Sequence, residues 1–383
     1  MTETILTNAR LVLETEVVAG TVVFDRSGLK AVDQGRSAVA GAIDVEGDFV
    51  GPGLVEMHTD NMEKHFMPRP GVFWPDGLAA AVAHDHQMAA AGVTTVYDSI
   101  CAGTASGAKD YRRTIFGQTV EAVSDGVRHG AFRIDHLIHI RCELTGATLI
   151  EEIAPYADNP LVRLASLMDH TPGKRQWRNL DDLKRYAVGS EKKTEAQFAA
   201  DVGRRMEEGP QNVARNWPAV VALFRGRGVP LATHDDTTTA DVEMGLESGA
   251  VISEFPTTVE AARHAHASGL ATIAGAPNVV RGGSHSGGVA AAELAALGVL
   301  DGLSSDYVPS SLLQAVTKLE RDHAIALPAA LAMVTWKVAD MVGLADRGHL
   351  KPGLRADLLW FREVGARRTP VVRGLWSQGV RVL

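Results

Sequence analysis

The chain has 383 residues, 45% of them hydrophobic and 22% charged, with a formal net charge of −8. That length can bury one large core with room for a small second unit, and the acidic balance argues against general affinity for nucleic acid or an anionic membrane surface. The two cysteines, Cys101 and Cys142, make neither a disulfide framework nor a thiolate metal site. No apolar run reaches the roughly 20 residues of a membrane span, and the opening "MTETILTNARLVL" is too polar for a secretory leader, so a cytoplasmic location is expected.

Residues 1–52 read as short strands broken by turns, among them "TILTNARLVLE", "EVVAGTVVFDRSG" and "GAIDVEGDFVGPG". "VGPG", Val50–Gly53, is a rigid-plus-permissive joint where the chain changes direction. From 53 to 342 strand-like and helical stretches alternate. The strand candidates are "LVEMHTD", "VTTVYDS", "RIDHLIHIRCE", "VRLASLMDH", "VPLATHDD", "GAVISEFPT", "LATIAGAPN" and "LGVLDGLSSDYVP". This pattern predicts an α/β fold, a closed (β/α)8 TIM barrel; the rival, a doubly wound open sheet, lacks a Gly-rich loop at its first βα turn. A charged segment near 177–226 exceeds a simple crossover and reads as two or three helices, either an outer-ring elaboration or a lid. Residues 343–383 return to strand-and-turn texture and are expected to join residues 1–52 in a small β-sandwich outside the barrel.

Barrel active sites collect where the strands end. The ends here carry His58 and Asp60, then Asp98, then His139 and Glu143, then Asp169 and His170. They continue with His234, Asp235 and Asp236, then Glu254, Asn278 and Asp306. One such histidine is more often a satisfied core residue. This many ionisable groups around one axis is costly unless they pair or coordinate metal. The imidazole and carboxylate set suits zinc first, with manganese or iron as alternatives. Two ions are expected, with His58 and Asp60 on the more buried one, His170 and His234 on the other, and Glu143 bridging. Asp306 is placed to ligate and to take the proton from the attacking water. His139 is either an additional ligand or a core residue, and Asp235 is a further candidate.

Cations cluster in loops that should open on the same mouth. They are Lys64, His65 and Arg69 after strand one, Arg141 in "HIRCE", Lys174 and Arg175 after His170, and Arg281 and His285 in the glycine-rich "NVVRGGSHSGG". A charge run is usually a solvated face. A cationic rim around a carboxylate-rich centre instead fits a polyanionic small molecule, with Lys64, Arg141, Arg175, Arg281 and His285 as phosphate-binding candidates. His84 and His86, two apart on a predicted helix, do not share a face. Together with His264 and His266 they are expected to be outer-helix residues, and Asp76 is expected to be an N-cap.

"PGLVEMHTD", the strand-end histidines, "SSD" and "GHLKPGLRADLLWF" resemble the amidohydrolase superfamily, which implies a (β/α)8 barrel holding one or two divalent metals and a β-sandwich made from both chain ends. His58-x-Asp60 departs from the His-x-His usual on strand one of ordinary amidases and deaminases. "EMHTDNMEKHFMPRPGVFWP", "LMDHTPGKRQW", "HDDTT", "GAPNVVRGGSHSG" and "LSSDYVPSSLL" occur in order along essentially the whole chain. They are similar to the phosphonate-utilisation (PhnM) branch of that superfamily. The resemblance implies hydrolysis of a ribose 1-phosphonate 5-triphosphate to the 5-phosphate and pyrophosphate, and it carries the metal-centre role to His58, Asp60, Glu143, His170, His234 and Asp306. Two other readings stand beside it: hydrolysis of a cyclic amide or N-acyl amino acid, and a non-catalytic pathway assembly protein. A homodimer is the base-rate expectation for assembly.

Overall fold

The computed structural model describes residues 3–104, 111–190, 194–284 and 286–383. The opening strands are β1 (Thr4–Val12), β2 (Val17–Asp25), β3 (Gly28–Gln34), β4 (Ile43–Asp44) and β5 (Phe49–Pro52). After Gly53 come the eight barrel strands: β6 (Leu54–Thr59), β7 (Val93–Ala102), β8 (Asp135–Glu143), β9 (Val162–Met168), β10 (Leu231–His234), β11 (Ala250–Glu254), β12 (Ala271–Gly275) and β13 (Gly302–Ser304). Each pairs in parallel with the next, as the alternating sequence predicts. Val55, Met57, Tyr97, Leu164, Ile252 and Ile273 fill the interior in one cluster with Val338 and Ala339 of the helix Trp336–Met341.

The barrel closes where β6 meets the residues after β13. Thr59 and Asp306 form a parallel bridge. The Asp60 amide donates to the Asp306 carbonyl and the Asp306 amide to the His58 carbonyl, each at 3.1 Å. Beneath this bridge the buried Glu56 carboxyl accepts the amides of His58 (2.6 Å) and Ser305 (2.5 Å). Burial pushes its pKa up to about 8 despite those donors. The seam therefore holds Asp306 beside the end of strand one.

The chain ends with β14 (Leu358–Val364), β15 (Thr369–Ser377) and β16 (Val380–Arg381). These join the opening strands in one mainly antiparallel sheet of order β16-β15-β14-β5-β1-β2-β3, with β4 on β1. Strand β5 is the link, antiparallel to β14 and parallel to β1. Leu6, Leu11, Val22, Phe24, Leu358 and Trp376 form its core.

The helix Gly77–Ala90 starts at Asp76, whose carboxylate accepts the Ala79 amide at 3.0 Å, as expected of an N-cap. Two helices, Leu180–Ser190 and the 31-residue Glu195–Arg225, follow β9. The second half of the long helix packs Trp217, Val220 and Phe224 onto the barrel. Its first half shares a small separate core with Trp177 and Leu183 through Phe198 and Val202. Side chains staple this helix to the loop after β8: Asn212 donates to the Thr145 carbonyl, and Asn216 to those of Leu144 and Gly146, at 2.8–2.9 Å. A Cβ on Gly146 would lie 1.7 Å from the Gly103 carbonyl oxygen, so only glycine lets the loops after β7 and β8 cross there. Among the described residues, no helix is long and apolar enough to cross a membrane.

Candidate metal centre and its cationic wall

A cavity of about 640 Å3 opens at the C-terminal ends of the barrel strands and is walled on one side by the long helix. Two groups of ligand-type side chains lie at and beneath its floor, each with three donor atoms within 4.8 Å of one another: His58, His139 and Glu254, and His170, His234 and Asp235. The His58 and His234 rings, 5.5 Å apart, connect the groups.

In the deeper group His58 Nδ1 lies 3.0 Å from Glu254 Oε1. The Met57 carbonyl accepts from His139 Nδ1 at 3.0 Å, which directs the lone pair of Nε2 toward Ser166 Oγ, 2.9 Å away. Burial holds His58 well below its usual pKa and pushes His139 down to about 3, so both imidazoles are neutral, the form a metal requires. In the outer group His170 donates from Nδ1 to Glu143 Oε2 (2.5 Å) and from Nε2 to Asp235 Oδ2 (3.2 Å). His234 Nδ1 donates to the same Asp235 oxygen at 2.8 Å. Burial opposes charge on His170, but Glu143 and Asp235 outweigh it and raise the pKa to about 9. Glu143 is correspondingly held down near 2. Asp235 itself sits at φ 57°, a left-handed conformation that aims its carboxylate back at both rings.

These residues fit a divalent cation. Buried polar atoms are normally paired, yet His234 Nε2 and Glu254 Oε2 are buried without a hydrogen-bond partner. The donor set is imidazole nitrogen and carboxylate oxygen throughout, suited to zinc, manganese or iron. A proton on His170 between two carboxylates occupies a place in which positive charge is stabilised, and a bound cation would displace it.

Asp306 projects from the seam at φ 52° and lines the cavity. Burial and the neighbouring Asp60 and Asp235 raise its pKa to about 7, against the opposing pull of Arg141 and Lys64. The direction, a carboxyl made more basic by burial and acidic neighbours, suits a proton acceptor.

Over 387 aligned residues the chain is 40% identical to the alpha-D-ribose 1-methylphosphonate 5-triphosphate diphosphatase of Escherichia coli strain K12, spanning 99% of this chain and 100% of that protein. The chain belongs to that family. No protein-family model matches it. Its fold is shared by the N-acetyl-D-glucosamine-6-phosphate deacetylase of Mycobacterium smegmatis, with TM-score 0.63, 17% identity, and coverage of 99% of this chain and 100% of that one. It is also shared by the N-isopropylammelide isopropylaminohydrolase of Burkholderia multivorans, with TM-score 0.62, 16% identity, and coverage of 100% and 98%.

Several residues singled out in the sequence of this family member fall elsewhere. Strand pairing is irregular between Glu56 and Thr59, and Asp60 lies past the strand end. His58 and Asp60 both line the cavity, but Asp60 belongs to neither group of three donors among the described residues. Asp60 instead faces Arg141 (3.4 Å) and Arg112 (3.7 Å), while Glu254 stands beside His58. Arg175 is buried and donates to the His234 carbonyl (2.7 Å) and to Asp236 (2.8 Å), bracing the loop after β10. Arg281 is exposed at the end of the short helix Ala276–Arg281 and does not line the cavity. His285 lies outside the described residues. Lys64 lines the mouth and donates to the Tyr307 carbonyl, and Arg141 lines it with Arg112.

Asp98 turns outward into the helix layer. His84 lies on the helix Gly77–Ala90 and outside the cavity lining, but it is fully buried and donates from Nε2 to Asp98 at 3.0 Å. Exposed His86 shows that the two do occupy different faces. Sequence reading left out Glu254 as a ligand although it named the strand end. It also passed over Arg112 and Arg205, which lie on helices; Arg205 donates to the His170 carbonyl at 2.7 Å.

Proposed function

We propose that this chain catalyses metal-dependent hydrolysis of α-D-ribose 1-methylphosphonate 5-triphosphate to the 5-phosphate and pyrophosphate, in phosphonate catabolism. The observation that carries this reading is the full-length 40% identity to the Escherichia coli diphosphatase. The cavity supports it: ligand-type side chains stand beside buried arginines, an arrangement an anionic substrate uses and a neutral amide does not. His58, His139 and Glu254 would hold one ion, and Glu143, His170, His234 and Asp235 a second, with zinc as the first choice. When bound, such ions polarise a phosphoryl oxygen and acidify water.

The chain's own groups supply the rest. Asp306 accepts a proton from the water that attacks the α-phosphorus, and the seam fixes its carboxylate for that task. Lys64 and Arg141 offset charge that grows on the departing pyrophosphate. Arg175 acts at a distance, by holding the backbone that carries His234.

The test is turnover in ¹⁸O-enriched water, followed by phosphorus NMR. The label is expected in the ribose 5-phosphate; label in pyrophosphate overturns attack at the α position. A parallel panel of N-acyl amino acids and cyclic amides should be inert, and turnover on those alone would overturn the reading itself.

A further inference from the structure

We infer that Arg112, paired with Arg141, forms a polyphosphate clamp that selects a triphosphate substrate and grips its two terminal phosphates. This rests on the diphosphatase reading and names the residues that set its chain-length specificity.

The two guanidiniums reach the cavity from different elements. Arg141 lies on β8 two residues before Glu143, so strand alternation points both toward the mouth. Arg112 stands in the first turn of the helix Tyr111–Arg128. Both side chains are about nine-tenths buried, at 10% and 11% exposure, and both approach the same oxygen, Asp60 Oδ2. Glu63 holds Arg112 from the far side. Its Oε2 accepts from Nε at 3.0 Å and Nη2 at 2.8 Å, and also from the Tyr111 hydroxyl at 3.2 Å.

A structural ion-pair network would satisfy these donors, and among the described residues this one does not. Among the described residues Arg141 makes a single long hydrogen bond, 3.4 Å to Asp60, and its Nε is buried with no partner. Neither Nη1 of Arg112 nor Nη2 of Arg141 bonds to protein among the described residues. Two like charges packed together out of water repel, and leaving their donors half used adds to the cost. What they lack is a multidentate anion with many acceptor oxygens, and planar guanidiniums match phosphate in this way. Asp60 then occupies the pair when no substrate is present, and a phosphate chain competes with it. The clamp lies on the side of the mouth formed by β6 to β8, opposite the glycine-rich loop after β12.

The experiment compares metal-loaded wild type with Arg112→Met and Arg112→Lys. It measures kcat and KM for the ribose 5-triphosphate and its 5-diphosphate counterpart, and the inhibition constant of inorganic pyrophosphate. Arg112→Met should raise KM for the triphosphate and the pyrophosphate inhibition constant together, by about tenfold or more, a loss of about 1.4 kcal/mol of binding per factor of ten. Its kcat should change less, its preference for triphosphate over diphosphate should shrink, and Arg112→Lys should restore part of the loss. Removing Arg112 strands Glu63, so Glu63→Gln/Arg112→Met provides a charge-balanced variant if the single one fails to fold, and the same rise is expected of it. A folded, metal-loaded variant with unchanged KM and unchanged pyrophosphate inhibition overturns the clamp while leaving the diphosphatase reading intact. Failure of wild type to hydrolyse the triphosphate overturns that reading instead, and pyrophosphate binding by wild type and variant then still decides the clamp.

Discussion

Two buried clusters in this molecule are made of the same residue types and end in different states. One lies at and beneath the cavity floor. The other lies between β7 and the helix Gly77–Ala90, where Asp98 accepts from His84 Nε2 at 3.0 Å and from His136 Nδ1 at 2.8 Å. His136 Nε2 reaches Asp85 at 3.3 Å, and His84 Nδ1 meets Asn61 at 3.2 Å. All four ring nitrogens there have partners. At and beneath the cavity floor His234 Nε2 and Glu254 Oε2 have none. Asp85 Oδ2, in the second cluster, is unpartnered as well, but Asp85 does not line the cavity whereas His234 does. Residue type and burial therefore do not distinguish a metal site from a structural polar network; an unpartnered imidazole nitrogen on a cavity-lining residue does.

The sharpest way to break this comparison is to remove one histidine from each cluster. His234→Ala should lose metal, measured by elemental analysis of dialysed protein, and turnover should fall to background. His136→Gln should keep its full metal content. Equal metal loss in both variants would erase the distinction drawn here.

Next in size is Asp306→Asn, which separates proton transfer from metal assembly. Loss of one well-placed general base costs about 10²- to 10⁴-fold in rate, and pyrophosphate inhibition should move little because Lys64, Arg112 and Arg141 are untouched. A metal-loaded Asp306→Asn enzyme with near-normal kcat would transfer the role to another carboxylate at the mouth.

In the structural cluster the expected effect is on stability. His136→Gln leaves Asp98 buried without its cation and should cost about 3–5 kcal/mol in urea unfolding, with kcat changed only a few-fold. Burial lowers the pKa of His136, but Asp98 and Asp85 outweigh it and raise the pKa from 6.5 to about 9. A group whose pKa rises on folding stabilises the protein fully below its unfolded pKa, and that contribution is lost as pH climbs through the folded value. Wild type should therefore lose stability between about pH 6.5 and 9 relative to His136→Gln. Parallel pH profiles for the two would show that His136 is neutral in the fold.

The barrel was legible because each strand is a short apolar run followed by a helix, and burial on both faces writes that pattern directly into sequence. The candidate ligands at strand ends were legible for the same reason: His58, Glu143 and His234 fall in the last two residues of β6, β8 and β10, and His170 comes two residues after β9. Side-chain direction was not. Asp60, past the end of β6, meets Arg141 and Arg112 while His58 meets Glu254, and Asp98 turned away from the barrel axis toward His84. Cations were harder still, since "GKRQW" carries a buried brace, Arg175, that reads like a solvated arginine. Arg112 has no local mark, because only the packing of its helix against β7 and Glu63 brings it to the mouth.

The smallest expected effect tests the cation assignment directly. In sequence, Arg281 among glycines and serines is an attractive anion site, since flexible backbone amides and a guanidinium suit phosphate. In the fold it is exposed at the C-terminal end of a short helix, where a cation is stabilised by the helix carbonyls and screened by water. The nearby chain is held by Asn278 instead, which donates to the Val289 carbonyl at 3.1 Å and accepts the Ala291 amide at 2.9 Å. Arg281→Ala should leave KM, kcat and pyrophosphate inhibition within about twofold of wild type, less than the ~0.5 kcal/mol typical of a surface substitution. The comparison with Arg112→Met is then internal to one assay. A tenfold rise in KM for Arg281→Ala, with none for Arg112→Met, would place the phosphate chain on the loop after β12 and return the anion site to where the glycines suggested it.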